Sequence, residues 1–148
     1  ALPPFALGVE VAENAALTDP ARTIARLGML RGLGMKVAYD NFGAGYSSLQ
    51  HLVQLPVDAI KLDRAHVASL TAEDPRAGRA VIVAVVAAAR ELGIRVVAEG
   101  VDDPRTLALV AELGCDAAQG RAFGDPQPAR SVEFAGHAAA VRGALAGR

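Results

Sequence analysis

The stretch DPRAGRAVIVAVVAAARELGIRVVAEG, residues 74–100, decides the fold because it holds one complete helix-to-strand unit. Asp74 can accept hydrogen bonds from the free N–H groups of a first helical turn, and Pro75 has the backbone angle that this turn needs. Gly93 suits the left-handed conformation that follows many helix ends. The β-branched residues after it predict a short buried strand.

Two further segments, residues 18–40 and 102–120, repeat this order from Asp-Pro through a helical pattern and a Leu-Gly pair to an apolar run. Strands that alternate with helices in this way predict an α/β fold with a parallel sheet. We expect strands near Leu7–Ala12, Met35–Asp40, Asp58–Leu62, Ile94–Glu99 and Asp116–Gln119. We expect helices near Pro20–Leu33, Ser47–Val53, Pro75–Leu92, Pro104–Leu113 and, on a weak pattern, Ala129–Ala146.

The composition is that of one globular domain, with 148 residues, of which 52% are apolar and 21% charged. The net charge of −1 gives no support to binding of a DNA or RNA duplex, which needs a basic surface. The longest apolar run, residues 81–89, is too short to cross a bilayer, so we expect no membrane contact by this segment. The single cysteine, Cys115, excludes an internal disulfide and favours a cytoplasmic location.

Each predicted strand ends in a polar side chain. In chain order these residues are Glu10 and Glu13, Asp40, Lys61 and Asp63, Glu99, and Gln119. The carboxyl ends of parallel strands lie on one face of the sheet, so we expect these side chains to form one site. Several carboxylates placed together repel one another unless a positive charge lies among them. Because all the donors are oxygens, Mg²⁺ or Mn²⁺ is the expected cation, and Lys61 adds a fixed positive charge.

Five segments together resemble the EAL-domain family in both order and spacing. They are VEVAEN (9–14), AYDNFGAGYSSL (38–49), LPVDAIKLDR (55–64), VVAEGVDD (96–103) and LGCDAAQGRAFGDPQP (113–128). Members of that family hydrolyse cyclic di-GMP to linear pGpG on a TIM-like barrel that has one antiparallel strand. The resemblance implies part of such a (β/α) barrel, with about five parallel strands. Residues 1–134 would form the C-terminal part of the domain, and 135–148 a C-terminal helix or tail.

The resemblance also implies roles for the polar strand ends. Two metal ions, Mg²⁺ or Mn²⁺, would be bound by Glu10, Asp40, Asn41 and Glu99, with Asp40 shared between them. The catalytic residues would be Lys61 and Glu99, with Lys61 holding the attacking water or a phosphate oxygen. The substrate would be touched by Gln119 and Arg121. The implied reaction is in-line attack of water on one phosphodiester, assisted by the metal ions.

The loop after Asp40 has an implied role of its own. In the family this loop couples metal binding, substrate binding and dimer contacts, and Glu13 would anchor it. The loop residues here are Phe42, Gly43, Gly45 and Ser47. We expect the chain to assemble through segment 43–52 or through an open sheet edge, because an unpaired edge invites another strand. The partner would be a second copy or an N-terminal segment that completes the barrel.

The sequence departs from the family at several positions. The Glu-Ala-Leu signature and the strand with the metal-binding Asn are absent, and we expect both to precede residue 1. Asn41 stands where the family usually has a second Asp, and its neutral amide should weaken the second metal site. Other differences are Ala12 for Thr, Arg121 for Tyr and Asp125 for a basic residue. We therefore expect the isolated chain to hydrolyse little or no cyclic di-GMP.

Three functions remain open at this point. The first is the metal-dependent phosphodiesterase, which the retained acids, Lys61 and Gln119 favour. The second is a degenerate EAL domain that binds cyclic di-GMP or a partner protein without turnover, which Asn41 favours. The third is an unrelated βα protein that uses the acids for another metal-dependent reaction.

Several other side chains are consistent with less specific roles. His51, His66 and His137 lack metal-ligand spacing, so we expect surface or packing roles for them. Cys115 is expected to be a small buried side chain. Arg64 and Arg121 lie near the expected site, where contact with phosphates and simple solvation are both open.

Overall fold

The computed structural model describes residues 3–43 and 49–128. Its strands are β1 Gly8–Ala12, β2 Lys36–Phe42, β3 Ala59–Leu62, β4 Arg95–Glu99 and β5 Ala117–Gln119. They form one sheet in the order β1-β2-β3-β4-β5, and every neighbouring pair is parallel. All the expected strands are therefore confirmed, in an α/β arrangement with helices between them.

The helices are α1 Glu13–Thr18, α2 Pro20–Gly32, α3 Leu49–Gln54, α4 Arg64–Ser69, α5 Arg76–Glu91 and α6 Pro104–Glu112. Two 3₁₀ turns are also present, at Pro4–Ala6 and Arg121–Phe123. Helices α1 and α4 were not expected from the sequence, because six residues give less than two turns of hydrophobic pattern. The expected helix over Ala129–Ala146 and the tail 135–148 lie outside the described residues.

The Asp-Pro pairs begin helices as expected, with one difference. Asp19 accepts the N–H of Arg22 at 3.1 Å, and Asp103 accepts the N–H of Thr106 at 2.9 Å. Helix α5 begins one residue after the proline, and Asp74 accepts the N–H of Arg76 at 3.1 Å. Each aspartate satisfies an N–H group that has no partner inside its helix.

All four residues of β3, the middle strand, are buried, and the hydrophobic core lies on the face that Ile60 and Leu62 share. There Ile60 and Leu62 pack with apolar residues of the surrounding helices, including Ile82 and Ala89 of α5. Cys115 is half-buried and packs against this core, and burial raises the pKa of its thiol to about 11. Within residues 3–43 and 49–128, none of the helices combines the length and the apolar character that crossing a bilayer requires.

At the N-terminal end of the sheet, two aspartates make the same contact with a neighbouring strand. Asp58 accepts the N–H of Val37 at 3.0 Å and donates its own N–H to the Val37 carbonyl at 2.8 Å. Asp116 repeats this with Val96, at 2.8 and 2.9 Å. Each aspartate extends the ladder by one residue and satisfies a strand N–H that would otherwise lack a partner.

Basic residues complete the surroundings of Asp58. The Arg31 guanidinium lies 3.2 Å from one carboxylate oxygen, and the Lys36 ammonium lies 3.6 Å from the same oxygen. Burial alone would raise the pKa of Asp58, but the hydrogen bonds from Val37 and Arg31 outweigh it and lower the pKa. Asp58 is therefore a charged, fully partnered residue at this end of the sheet.

Candidate functional site

The strand register brings Glu10, Asp40, Lys61 and Glu99 to one face of the sheet, whereas Asp63 accepts the N–H of Ala65 at the start of α4. Glu10 pairs with Ala38, two residues before Asp40, and Lys61 pairs with Val97, two residues before Glu99. Side chains two residues apart in a strand point to the same face. The side chains therefore converge from four neighbouring strands at the carboxyl end of the sheet.

Lys61 is the centre of this cluster. Its ammonium lies 2.8 Å from Glu10 Oε1, 2.6 Å from Glu99 Oε1 and 3.7 Å from Asp40 Oδ1. The lysine side chain is only 8% exposed, so these carboxylates replace water around its charge. Burial alone would lower the pKa of Lys61, but the hydrogen bonds to Glu10 and Glu99 outweigh it and raise the pKa. The lysine is thus a fixed positive charge, as expected from the sequence.

Asp40 is incompletely partnered. Its Oδ1 atom is buried, and within the described part of the chain it has no hydrogen-bond partner. Its Oδ2 atom accepts a hydrogen bond from Asn41 Nδ2 at 2.9 Å. Asn41 has a φ of 57°, in the left-handed region that asparagine tolerates better than most residues. An aspartate side chain at 41 would have no N–H to donate to Asp40. Its carboxylate would instead place a second negative charge beside Asp40.

The cluster has the composition of a divalent-cation site. Three carboxylates face one ammonium, which leaves an excess of negative charge, and the buried Asp40 Oδ1 lacks a donor. Hard oxygen ligands of this kind fit Mg²⁺ or Mn²⁺. Among residues 3–43 and 49–128, however, no three acidic, histidine or cysteine side chains are grouped as a ready-made cage. The carboxylates meet around Lys61, so the assignment of Glu10, Asp40, Asn41 and Glu99 as metal ligands stays a prediction.

The start of the loop after β2 is fixed by two side chains. Glu13, which is 6% exposed, accepts the N–H of Gly43 at 3.3 Å. His66 Nε2 lies 3.1 Å from the Gly43 carbonyl oxygen. Phe42 is buried and meets Tyr39 edge to face, with ring centroids 6.0 Å apart. The expected loop residues Gly45 and Ser47 lie outside the described residues.

An open cavity of about 730 Å³ lies beside Glu99. Besides Glu99, the polar and charged side chains that line it are Arg64, Asp102, Gln119, Arg121 and Asp125. The N–H and guanidinium groups of Arg121 both donate to Asp102 at 3.0 Å, and these bonds lower the pKa of Asp102. The Arg64 guanidinium lies 3.7 Å from the same carboxylate. Both arginines are largely exposed although each lies beside Asp102, and the lining carries charges of both signs because Glu99 and Asp125 also border it.

The loops after β4 and β5 are joined by backbone hydrogen bonds, which place Gln119 and Arg121 at the cavity. The Val101 N–H donates to the Gln119 carbonyl, and the Ala122 N–H donates to the Val101 carbonyl, both at 3.0 Å. Gly120 lies against the backbone of Val101 so closely that any Cβ there would overlap it. A glycine is therefore required for this crossing.

Two residues near the site were not assigned a role there from the sequence. Asp102 could have been noticed, because it follows Glu99 by three residues and shares its loop. The sequence around His66 does not indicate a role at the site, since its partner is the backbone carbonyl of Gly43, 23 residues away in the chain.

Comparison with known proteins gives consistent results. A family model for the EAL domain matches residues 1–126. The Pseudomonas aeruginosa protein "Cyclic di-GMP phosphodiesterase RocR" is 43% identical over 127 residues, which cover 86% of this chain and 32% of that protein. "Cyclic di-GMP phosphodiesterase NbdA" from the same organism is 39% identical, with 86% of this chain and 16% of that protein covered. The chain thus spans less than half of either relative.

Solved structures resemble the fold over most of the chain. "PaMucR Phosphodiesterase, c-di-GMP complex" superposes with a TM-score of 0.80 at 36% identity, covering 87% of this chain and 51% of that one. A manganese and cyclic di-GMP complex of Klebsiella pneumoniae BlrP1 superposes with a TM-score of 0.77 at 35% identity, covering 84% and 31%. The five parallel strands therefore correspond to part of a TIM-like barrel, as expected.

Proposed function

The chain belongs to the EAL-domain family. From this premise we propose that it supplies the part of a metal-dependent cyclic di-GMP phosphodiesterase that contains Lys61. The product would be linear pGpG. The observation that carries the proposal is the buried Lys61 ammonium, which three strand-end carboxylates surround beside an open cavity. This arrangement would join a site for a divalent cation to a space for an anionic ligand.

The metal would be Mg²⁺ or Mn²⁺, held by Glu10, Asp40, Asn41 and Glu99. The buried Asp40 Oδ1 without a hydrogen-bond donor among the described residues supports this ligand set. When bound, a divalent ion supplies Lewis-acid polarisation of the scissile phosphodiester. Asn41 contributes no charge, so we propose that the second of two metal sites is the weaker one.

Lys61 would act by charge and position. Its hydrogen bonds to Glu10 and Glu99 fix the ammonium, so little reorganisation is needed when negative charge develops on a phosphate oxygen. The same ammonium can orient the attacking water. Glu99 borders the cavity as well as contacting Lys61, so it would lie between the charged cluster and a substrate in the cavity.

The cavity would take the substrate. Cyclic di-GMP carries two phosphodiesters, and the exposed guanidinium groups of Arg64 and Arg121 suit such anions. Gln119 offers an amide donor and acceptor for a guanine edge or a sugar hydroxyl. Asp102 holds Arg121 through two hydrogen bonds, which limits the freedom lost when a phosphate binds.

We also propose that the sheet pairs with further strands, and that the protein acts in the cytoplasm. Within the described residues, β1 has only β2 as a neighbour and β5 has only β4. A second copy or an N-terminal segment of the same domain would cover these edges. Sedimentation of the 148-residue chain at micromolar concentration tests this: self-association or capture of such a segment is expected, and a compact, cooperatively unfolding monomer contradicts it.

The second candidate is a degenerate domain that binds cyclic di-GMP or a partner protein without turnover. The hydrogen bond from Asn41 to Asp40 favours this candidate, because it occupies an oxygen that a metal would need. The two functions differ in one measurement, the conversion of cyclic di-GMP to pGpG.

The experiment uses the protein that carries this chain together with the rest of its barrel, in Mg²⁺ and in Mn²⁺. Turnover that Asp40→Ala abolishes supports the phosphodiesterase. Saturable cyclic di-GMP binding without turnover supports the degenerate domain. Absence of both binding and turnover refutes the phosphodiesterase and the cyclic di-GMP-binding form of the degenerate domain, and leaves only binding of a partner protein. We expect the isolated chain to hydrolyse little or none.

A further inference from the structure

Gly43 is held at both of its backbone groups. Its N–H donates to Glu13 Oε2 at 3.3 Å, and its carbonyl oxygen lies 3.1 Å from His66 Nε2. A carbonyl oxygen only accepts, so the Nε2 atom must carry the proton in this contact. Glu13 and His66 come from opposite sides, one after β1 and the other from α4.

The position of Gly43 matters because the chain leaves regular β geometry just before it. The pairing of β2 with β3 shifts in register between Tyr39 and Phe42. Asn41 has a φ of 57° and Gly43 a φ of 93°, both in the left-handed region, with the buried Phe42 between them. Asp40 pairs with Ala12 of β1 and Phe42 pairs with Leu62 of β3, whereas no residue of β1 or β3 is in register with Asn41. The contacts at Gly43 therefore bear on the left-handed turn at Asn41 rather than on the strand as a whole.

Helix α4 reaches this segment in two places. The Asp63 N–H, at the N-cap of α4, donates to the Phe42 carbonyl at 3.3 Å, and His66 contacts the next carbonyl. The fit is close, since a Cβ at Gly43 would lie 2.5 Å from His66 Nε2 and 2.9 Å from its Cδ2. The imidazole therefore sits directly on the glycine, without room for a side chain between them.

We propose that His66 is a positioning residue. Together with Glu13 it fixes the backbone groups of Gly43, and through them the left-handed turn at Asn41, whose side chain donates to Asp40. What the fixed pair does, metal binding and phosphodiester hydrolysis, rests on the proposed function. The contact between His66 and Gly43, and its effect on this segment, do not.

Four variants separate this role from simple packing. His66→Phe keeps a ring of similar size and removes the donor, and His66→Asn keeps a polar group that is too short to reach. His66→Gln keeps an N–H at about the distance of Nε2. Ser69→Ala is the matched control, because it removes a hydrogen bond of α4 to the His66 carbonyl, 2.6 Å long, without touching Gly43.

The first measurement is hydrogen exchange of the Gly43 amide in the protein at constant pH. We expect about tenfold faster exchange in His66→Phe and His66→Asn, since losing one hydrogen bond loosens this segment locally. His66→Gln and Ser69→Ala should stay within about twofold of the parent protein. Unchanged exchange in both His66→Phe and His66→Asn would overturn the proposal. Equal acceleration in Ser69→Ala would also overturn it.

The second measurement is steady-state hydrolysis of cyclic di-GMP by the same variants in the complete domain. A positioning role predicts about tenfold lower kcat with KM little changed in His66→Phe, and recovery in His66→Gln. If the parent protein does not hydrolyse cyclic di-GMP, the phosphodiesterase proposal fails. The exchange measurement then still decides whether His66 fixes Gly43.

Discussion

Both ends of the sheet carry acidic residues, but the partners of these residues differ between the two ends. At the N-terminal end, Asp58 and Asp116 each accept a strand N–H, and Asp58 also has two basic partners. At the C-terminal end, three carboxylates share Lys61, and one oxygen of Asp40 is buried without a donor in the described residues. The first end has the satisfied contacts of a stabilising site, and the second has the unbalanced charge of a binding site.

The difference shows why acidic residues in a sequence are ambiguous until their partners are known. Asp58 and Asp40 both lie in segments that resemble the EAL-domain family, residues 55–64 and 38–49. The Val37 N–H gives Asp58 a donor within the fold, whereas Asp40 Oδ1 has no hydrogen-bond donor among the described residues. The predictions below test that contrast from the largest expected effect to the smallest.

The largest effect should come from Lys61. The chain's other lysine, Lys36, lies at the opposite end of the sheet and serves as its control. In the complete domain, Lys61→Met should lower the rate of cyclic di-GMP hydrolysis by about 10²- to 10³-fold, as loss of a preorganised charge does in other enzymes. Lys36→Met removes a mostly exposed lysine beside Asp58 and should leave the rate nearly unchanged. Equal effects of the two substitutions on the rate would remove the distinction between the ends.

A large effect on stability should come from the N-terminal end. Asp58→Ala leaves the Val37 N–H and the Arg31 guanidinium without their acceptor. We expect the free energy of unfolding to fall by about 2 kcal/mol, measured by urea denaturation. Asp40→Ala removes a buried oxygen that has no hydrogen-bond donor in the described residues and only a 3.7 Å ion contact with Lys61, so it should cost clearly less. A larger loss of stability for Asp40→Ala would reverse the roles that we assign.

Asn41→Asp adds a negative charge at the C-terminal end of the sheet, whereas Lys61→Met removes a positive one there. The added charge should strengthen the second metal site, and we expect roughly tenfold less Mg²⁺ to be needed for half-maximal hydrolysis in the complete domain. Titration of the rate with Mg²⁺ measures this. If the Mg²⁺ requirement stays the same, the limiting defect lies elsewhere, for example at Ala12, Arg121 or the loop after Asp40.

The smallest effect concerns pH. The pKa of Asp58 is lowered in the fold, so its charge adds stability above its unfolded pKa of about 3.9, and this is lost as pH falls through the folded pKa. The parent protein should therefore exceed Asp58→Asn in unfolding free energy by about 1 kcal/mol at pH 7. The difference should shrink towards zero below pH 4, as urea denaturation at several pH values can measure. A difference that grows on acidification would contradict the lowered pKa.

The sequence predicted the regular part of the fold well. Long segments such as α5 and its strand β4 carry enough apolar repeats, with an aspartate before and a glycine after the helix, to indicate both their type and their limits. Convergence of Glu10, Asp40, Lys61 and Glu99 followed from their places at parallel strand ends, and the geometry confirms it.

Contacts between a side chain and a distant backbone group could not be predicted. Asp58 with Val37, and His66 with Gly43, depend on strand register and helix position, which leave no mark in the local pattern. The donation from Asn41 to Asp40 is equally hidden. An asparagine beside an aspartate indicates a weakened metal site but not a hydrogen bond between the two.

The most direct test of the contrast is a titration of the ¹⁵N-labelled protein with Mn²⁺, followed by paramagnetic broadening of the backbone amide signals. Our account predicts that signals of Asp40, Asn41 and Glu99 broaden at the lowest Mn²⁺ concentrations, while those of Val37 and Val96, about 10 Å further along their strands, broaden only at higher ones. Broadening that begins at Val37 and Val96, or that is uniform along β2 and β4, would contradict it.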